Sequence, residues 1–389
     1  MIFGMFISRA GSYMQTVAVN WQLYQLTHSP LSLGILGLAT FLPILTFSFF
    51  SGIAADIFNR KKIIFLVEGL AIINALALAF MTIFHIITPL LIYLFVGIDA
   101  GFASFELPSR QSIMPNIVDK KDFPLAMNIN SIFFQATSFI GPAVAGFVIA
   151  AYGVKAVYII NAFSFLAVML AVVLMSPLPR RLNIPKFSLK GIVDGLHFVF
   201  KAPVIAGSMF IDFFATFFGS SMTLMPIFAV DILKVGPKEM GFLYAAPSIG
   251  AILAGLIYPF FLHIKHKGKI LILAILFYGA NIVLFAISKN YILSLVFIGL
   301  SGSGDMISAT IRSTLRQLVT PDHIRGRMSS INMIFFTGGP QLGEVEAGFA
   351  ANVLGAPWSV GIGGLATIAA TLYIAKKIPE LVNYKDTVD

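Results

Sequence analysis

Long apolar stretches alternate with short polar turns along almost the whole chain. A membrane-spanning helix needs about 20 mostly apolar residues, and such stretches recur from one end of the 389 residues to the other. The pattern predicts an all-α membrane protein with twelve transmembrane helices, at roughly 3–26, 31–55, 63–84, 88–114, 123–150, 154–176, 203–229, 237–262, 269–287, 290–317, 324–351 and 356–376.

The one long interruption, residues 177–202, is rich in proline and basic residues and predicts a linker on the cytoplasmic side. We therefore expect residues 1–176 and 203–389 to form two six-helix bundles. The first apolar run lacks a basic region and a cleavage site, so it is predicted to be a retained helix and not a signal peptide.

Composition excludes a soluble protein. The chain is 58% hydrophobic and 11% charged, whereas soluble domains carry roughly 25% charged residues. A net charge of +9 is better explained by cytoplasmic loops beside anionic membrane lipid than by a nucleic-acid partner. The absence of cysteine excludes disulfides and thiolate metal sites.

Basic residues are distributed unevenly between the two sides predicted by the span order. Of the 26 Lys and Arg, 21 fall in the loops after the even-numbered spans or at the C-terminus, and four fall on the other side. The more basic side faces the cytoplasm. Both termini are therefore predicted to be cytoplasmic, in a multi-pass protein of the bacterial inner membrane.

The second half of the chain repeats part of the first. Residues 95–153 align without a gap to residues 297–355 when shifted by 202 positions. The matched positions include Arg110 with Arg312, Gly141 with Gly343 and Gly153 with Gly355. Parallel repeats are typical of transporters in which two bundles move about a central site.

The loop after span 2 reads Gly52-Ile-Ala-Ala-Asp56-Ile-Phe-Asn59-Arg60-Lys61. Taken alone, its charges mark only a cytoplasmic loop. It also resembles the signature loop of the major facilitator superfamily, which Gly52, Asp56, Arg60 and Lys61 match. Ile57 departs from the family's usual basic residue. The resemblance implies that this loop takes part in conformational change.

Span 5 contains Gly141, Pro142 and Gly146, which resemble the helix 5 motif of proton-coupled exporters in the superfamily. Ala145 replaces one of the motif's paired glycines, and an ordinary proline kink is the structural alternative. Other segments, such as Thr27 to Pro30, are similar to the drug and siderophore exporter branch. The resemblance implies two six-helix halves and a cavity lined by helices 1, 4, 7 and 10.

Ionisable residues within predicted spans are costly and therefore mark candidate sites. Asp99 and Glu106 share one stripe of span 4, which Arg110 continues, because seven residues make nearly two helical turns. Span 10 carries Asp305 and Arg312 at the same spacing, and span 7 carries Asp212. We rank the candidate proton-coupling acids as Asp305, Asp99, Asp212 and Glu106, the alternative being structural hydrogen bonds or ion pairs.

Other polar residues are candidates for the substrate cavity. Arg9 lies at about the depth of Glu106, which is its nearest candidate partner in a structural or gating pair. The remaining candidates are Asn20 and Trp21 in span 1, and Glu344 and Glu346 in span 11. The two glutamates are about 200° apart on a helix and cannot share one face.

Several kinds of chemistry are missing from the sequence. It contains no phosphate-binding loop of the Gly-x4-Gly-Lys type, no credible catalytic set, and no metal or cofactor site. We therefore predict a monomeric exporter, not an enzyme, that exchanges a small molecule (siderophore, drug or metabolite) for protons. A nutrient symporter and a non-transporting receptor or assembly protein remain open as alternatives.

The predicted topology is testable because the chain has no cysteine of its own. Single cysteines at Ser29 and Lys155 should react with an impermeant thiol reagent added outside intact cells. Cysteines at Lys62 and Lys186 should react only after the cells are opened. Labelling of Lys186→Cys from outside would overturn the orientation and the two-bundle prediction together.

Overall fold

The computed structural model describes residues 1–119, 121–175, 197–261, 266–321 and 325–384, which are almost entirely helical and contain no strand. The long helices are α1 (Ile2–Thr27), α2 (Pro30–Ile57), α3 (Arg60–Ile83), α4 (Pro89–Ile117), α5 (Phe123–Tyr152), α6 (Val154–Leu174), α7 (Pro203–Phe218), α8 (Pro237–Ile257), α9 (Lys267–Ile287), α10 (Tyr291–Val319), α11 (Arg325–Leu354) and α12 (Ala356–Lys377). A single turn, α13 (Pro379–Val382), follows α12.

Within the described residues, ten segments are long and apolar enough to cross a membrane. Helices α1 and α11 fall outside this set, although their 26 and 30 residues make them about 39 and 45 Å long. Both are more polar than the others: α1 carries buried Gln15, Asn20 and Gln22, and α11 carries Glu344 and Glu346. The fold is thus that of a multi-pass helical membrane protein.

Short polar residues begin several of the helices. The side chains of Ser29, Asn59, Thr88 and Asn290 accept hydrogen bonds from backbone N–H groups in the first turns of α2, α3, α4 and α10. Such caps satisfy donors that have no partner inside the helix. Helices α2, α4 and α10 begin within one residue of the predicted positions, and α3 begins three residues before its predicted start.

The described residues form two compact units. The first contains the described residues of 1–187 and 234–245, and the second contains those of 188–233 and 246–389. Most of the predicted linker 177–202 lies outside the described residues. In the first unit α1 packs against α5 and α6, α3 packs against α4 and α6, and α2 packs against α4. In the second, α7 packs against α11 and α12, and α9 packs against α10 and α12.

The predicted helix over 203–229 is interrupted. Helix α7 ends at Phe218, and the chain continues to Ile232 through short 3₁₀, α and π turns. The carbonyl of Gly219 accepts a hydrogen bond of 2.9 Å from the Tyr278 hydroxyl, which holds the chain at the break. Apolar periodicity alone predicted one helix because the residues after the break are as apolar as those before it.

Gly153 and Gly355 occupy the same position in the two units, between α5 and α6 and between α11 and α12. Their φ angles are 78° and 87°, with ψ of 174° and 152°. This backbone region is essentially restricted to glycine. The sequence repeat pairs these two residues, and both turns require the same conformation.

These two turns make a direct test of backbone strain. A Cβ added at Gly153 or Gly355 would meet no atom within 4 Å, so only the backbone opposes a side chain. Gly153→Ala and Gly355→Ala should each destabilise the protein by about 1–3 kcal/mol, measured by thermal unfolding in detergent. Gly361→Ala, inside α12 with only ordinary contact to Ala286, is the control and should not lower stability.

Candidate functional site

One guanidinium in the first unit joins two carboxyl groups. Nη2 of Arg110 in α4 lies 2.6 Å from Oε1 of Glu68 in α3 and also contacts Oε1 of Glu106, one turn earlier in α4. Arg110 and Glu68 are almost completely buried, whereas Glu106 keeps 21% of its side chain exposed. Since unpaired charges are costly to bury, Arg110 and Glu68 depend on each other.

A similar centre lies in the second unit. Nη2 of Arg312 in α10 lies 2.9 Å from Oδ1 of Asp212 in α7 and 3.7 Å from Oδ1 of Asp305 in α10. Arg312 and Asp212 are buried, while the side chain of Asp305 is 54% exposed. Two of the predicted acids, Asp212 and Asp305, therefore share one arginine.

The two arginines are related by the sequence repeat, but their acidic partners are not. Arg110 and Arg312 are 202 residues apart. Glu106 precedes its arginine by four residues and Asp305 by seven, and the buried acids come from α3 and α7 respectively. In both units one arginine nitrogen contacts a buried carboxylate and a more accessible one. The acids that do so come from positions that the sequence repeat does not relate.

Asp99 belongs to a separate network of amides in the first unit. Gln15 in α1 donates from Nε2 to Oδ2 of Asp99 at 3.4 Å and accepts from Nδ2 of Asn161 in α6 at 2.7 Å. Ser164 donates to Oδ1 of Asn161 at 3.0 Å. These bonds connect α4, α1 and α6 and hold the Asp99 carboxylate at the end of a polar chain.

The candidates in the second part of α1 have different surroundings. Asn20 is buried and donates to the Thr16 carbonyl at 2.9 Å, and Trp21 is half-buried. Gln22 is the residue that connects helices: it donates to Thr82 of α3 at 3.0 Å and accepts from the Tyr158 hydroxyl of α6 at 2.7 Å. Helix α1 is therefore held by polar contacts at two levels.

Among the residues that the structure describes, there is no ion pair between Arg9 and Glu106, the partner that depth suggested. Glu106 contacts Arg110, which lies one turn away on its own helix. Nη1 of Arg9 instead donates to Oδ1 of Asn130 in α5 at 3.4 Å, and its guanidinium carbon lies 5.5 Å from the centre of the Phe134 ring. The pairing was suggested because the two residues lie at similar depths in the membrane. Depth alone does not determine which neighbouring helix a side chain faces.

The helix 5 motif forms close backbone contacts within the first unit. A Cβ on Gly146 would lie 2.7 Å from the carbonyl oxygen of Pro237, and one on Gly241 would lie 2.6 Å from that of Pro142. Gly141 similarly packs against the backbone of α1. The glycines are thus explained by helix packing, with α8 approaching α5 at residues 237–241.

The signature loop is described only in part. Gly52 and Asp56 fall within α2, and their side chains lie outside the described residues. Arg60 is buried at the start of α3. Nζ of Lys61 donates to the carbonyl of Met175 at 2.6 Å, so it satisfies an acceptor at the C-terminal end of α6.

Glu344 and Glu346 are both half-buried in α11. Neither has an ion pair or a hydrogen-bonded side chain within the part of the chain that the structure describes. They remain candidates for contact with a ligand.

The contacts of three residues in these networks were not predicted: Glu68, Gln15 and Asn161. Glu68 is the one ionisable residue in the apolar run 63–84, but it lies close to the predicted cytoplasmic end of that span, a position that favours a merely structural role. Gln15 and Asn161 carry no charge and fit no motif, so their role follows only from packing.

Comparison with known proteins identifies the family of this chain. A model of the transmembrane secretion effector family matches residues 2–387. The chain belongs to this family of the major facilitator superfamily. It is a secondary transporter, and its relatives are transporters and not enzymes.

The enterobactin exporter EntS of Escherichia coli strain K12 is 25% identical over 386 residues, covering 98% of this chain and 92% of the exporter. EntS of Shigella boydii serotype 4 gives the same identity and coverage. Among solved structures, a bacterial homolog of the human lysosomal transporter Spinster has a TM-score of 0.74 at 14% identity, covering 98% of this chain and 94% of that one. A bacterial homologue of the iron transporter ferroportin has a TM-score of 0.73 at 15% identity, covering 98% and 97%. These structural likenesses show the fold.

The dependence of Asp212 on Arg312 predicts a double-mutant result. Arg312→Gln leaves a buried carboxylate without its cation and should cost about 3–5 kcal/mol of unfolding free energy. Adding Asp212→Asn should recover part of that loss, because no buried charge is then left over. Thermal unfolding in detergent measures both, with exposed Lys289→Gln as the control. Independent, additive losses would contradict the pairing.

Proposed function

We propose that this transporter exports a small molecule across the bacterial cytoplasmic membrane by proton antiport and alternating access. The observation that carries the proposal is the presence of carboxyl groups on α4, α7 and α10 that share arginines within the spans. Such charges are costly inside a membrane and are kept where ions or polar substrates pass.

The proposed architecture has twelve spans in two parallel repeats, with both termini and the linker 177–202 in the cytoplasm. Support comes from the packing order of the helices, which is repeated in the two units. Where two helices among α1, α3, α4, α5 and α6 pack together in the first unit, the helices numbered six higher pack together in the second. The matching conformations of Gly153 and Gly355 add to it. The proposed domains remain 1–176 and 203–389, and the molecule is proposed to work as a monomer.

Export is favoured over import by two observations. The relatives named above are exporters by name, and the sequence of Gly141, Pro142 and Gly146 resembles the motif of proton-coupled exporters. Nutrient symport is the second candidate and predicts accumulation of substrate inside cells. A receptor or assembly protein that moves nothing would not need acids as exposed as Asp305.

The substrate is proposed to be a siderophore, a drug or a metabolite. Candidate contacts are Arg9, Asn20, Trp21, Glu344 and Glu346. Arg9 and Asn20 already donate hydrogen bonds within the described residues. The signature-loop residues Gly52, Asp56, Arg60 and Lys61 are proposed to act in the conformational change.

The antiport proposal is tested in proteoliposomes with an imposed pH gradient and candidate substrates. Asp305→Asn and Asp99→Asn should abolish uphill efflux while leaving downhill exchange of substrate intact, because a coupling acid is needed only to link proton and substrate. Asp212→Asn and Glu106→Gln come next in rank, and Asp119→Asn at the surface is the control. If all four neutral variants pump normally, the acid lies elsewhere, with Glu344 and Glu346 next. If the pH gradient has no effect on wild-type transport of any substrate that the protein moves, the antiport proposal is refuted.

A further inference from the structure

Both arginine centres use one nitrogen for two acids. Nη2 of Arg110 contacts Glu68 and Glu106, and Nη2 of Arg312 contacts Asp212 and Asp305. With both acids ionised, each centre carries two negative charges and one positive charge. One additional monovalent cation would neutralise each centre.

Unpartnered atoms indicate which cation fits. In the first centre, Oε2 of Glu68 is a buried acceptor with no hydrogen-bond partner in the described part of the chain. A buried acceptor without a donor is destabilising, and more so if it is charged. Oε1 of Glu68 and Oε1 of Glu106 both contact Nη2 of Arg110, so the two carboxyl groups are neighbours and a proton shared between them would supply the missing donor.

We propose that each unit binds one exchangeable proton on its acid pair, Glu68 with Glu106 and Asp212 with Asp305, giving two protons per molecule. This rests on the proposed antiport and deepens it. The proton belongs to the pair and not to one residue. When one carboxyl group is protonated, the other still pairs with the arginine, so neither state leaves a guanidinium alone.

The two members of each pair have different tasks. Glu68 and Asp212 are buried and keep the arginine in place, so they are positioning residues that also share the proton. Glu106 and Asp305 are 21% and 54% exposed and give the proton its way in and out. This division is the same in both units although the acids come from different helices.

Other charged or titratable groups lie near the pairs at longer range. In the first unit these are Arg9 of α1, which also interacts with Tyr13, and Asp99 of α4, and in the second they are Arg316 of α10 and Tyr278 of α9. Within the described residues, neither Arg9 nor Arg316 forms an ion pair with the four acids. Asp99 remains a coupling candidate in its own right. It is present in every variant compared below, as are the other groups, so none of them changes the differences in proton count.

The test counts protons in purified protein in detergent, without substrate or gradient. A pH-indicator dye records uptake when the protein is moved from alkaline to mildly acidic buffer. Glu106→Gln and Asp305→Asn should each take up one proton fewer than the wild type, and the two together should take up two fewer. Adding Glu68→Gln to Glu106→Gln should cause no further loss, because the pair holds one proton. Glu106→Asp and Asp305→Glu should keep the wild-type count.

Unchanged uptake in Glu106→Gln with Asp305→Asn overturns the proposal, as do losses that add for Glu68→Gln and Glu106→Gln. If Glu68→Gln fails to fold, the comparison of Glu106→Gln with Glu106→Asp still tests the proposal. Only Glu106→Gln should take up one proton fewer than the wild type. If the expected protons bind but a pH gradient across liposomes does not drive transport, antiport is refuted while the proton-pair proposal stands. If a pH gradient drives efflux but no proton binds at these acid pairs, the proton-pair proposal is refuted while antiport stands.

Discussion

Burial of arginine in a membrane protein is the constraint on which this structure depends. A guanidinium away from water must be paired, and Arg110 and Arg312 are each paired with an acid on another helix. The pairing fixes α4 against α3 and α10 against α7. Glycine and amide contacts then set the remaining helix neighbours around these two points.

The amount predicted from sequence differs between the fold and the site. Apolar runs gave the long helices to within a few residues, because length and hydropathy are local properties. They missed the break after Phe218, where the residues on both sides are equally apolar. The helical stripe of Asp99, Glu106 and Arg110 correctly placed Glu106 near Arg110, because both lie on one helix.

Contacts between helices were harder to predict. The partner of Glu68 was not predicted, because nothing local indicates that α3 turns it toward α4. Depth alone suggested Glu106 as the partner of Arg9, whereas the observed hydrogen bond of Arg9 is to Asn130. Gln15 and Asn161 bear no charge, so only the packed structure reveals that they connect α1 with α6. Periodicity identifies the face of a helix, whereas the identity of its neighbour depends on the whole bundle.

The first unit is not continuous in sequence, since it includes residues 234–245. These residues bring Gly241 against Gly146 of α5. During synthesis, the first six helices emerge from the ribosome well before this segment. The face of α5 around Gly146 therefore lacks its final partner until α8 has been made, and the first unit can reach its final packing only after the ribosome has passed residue 245.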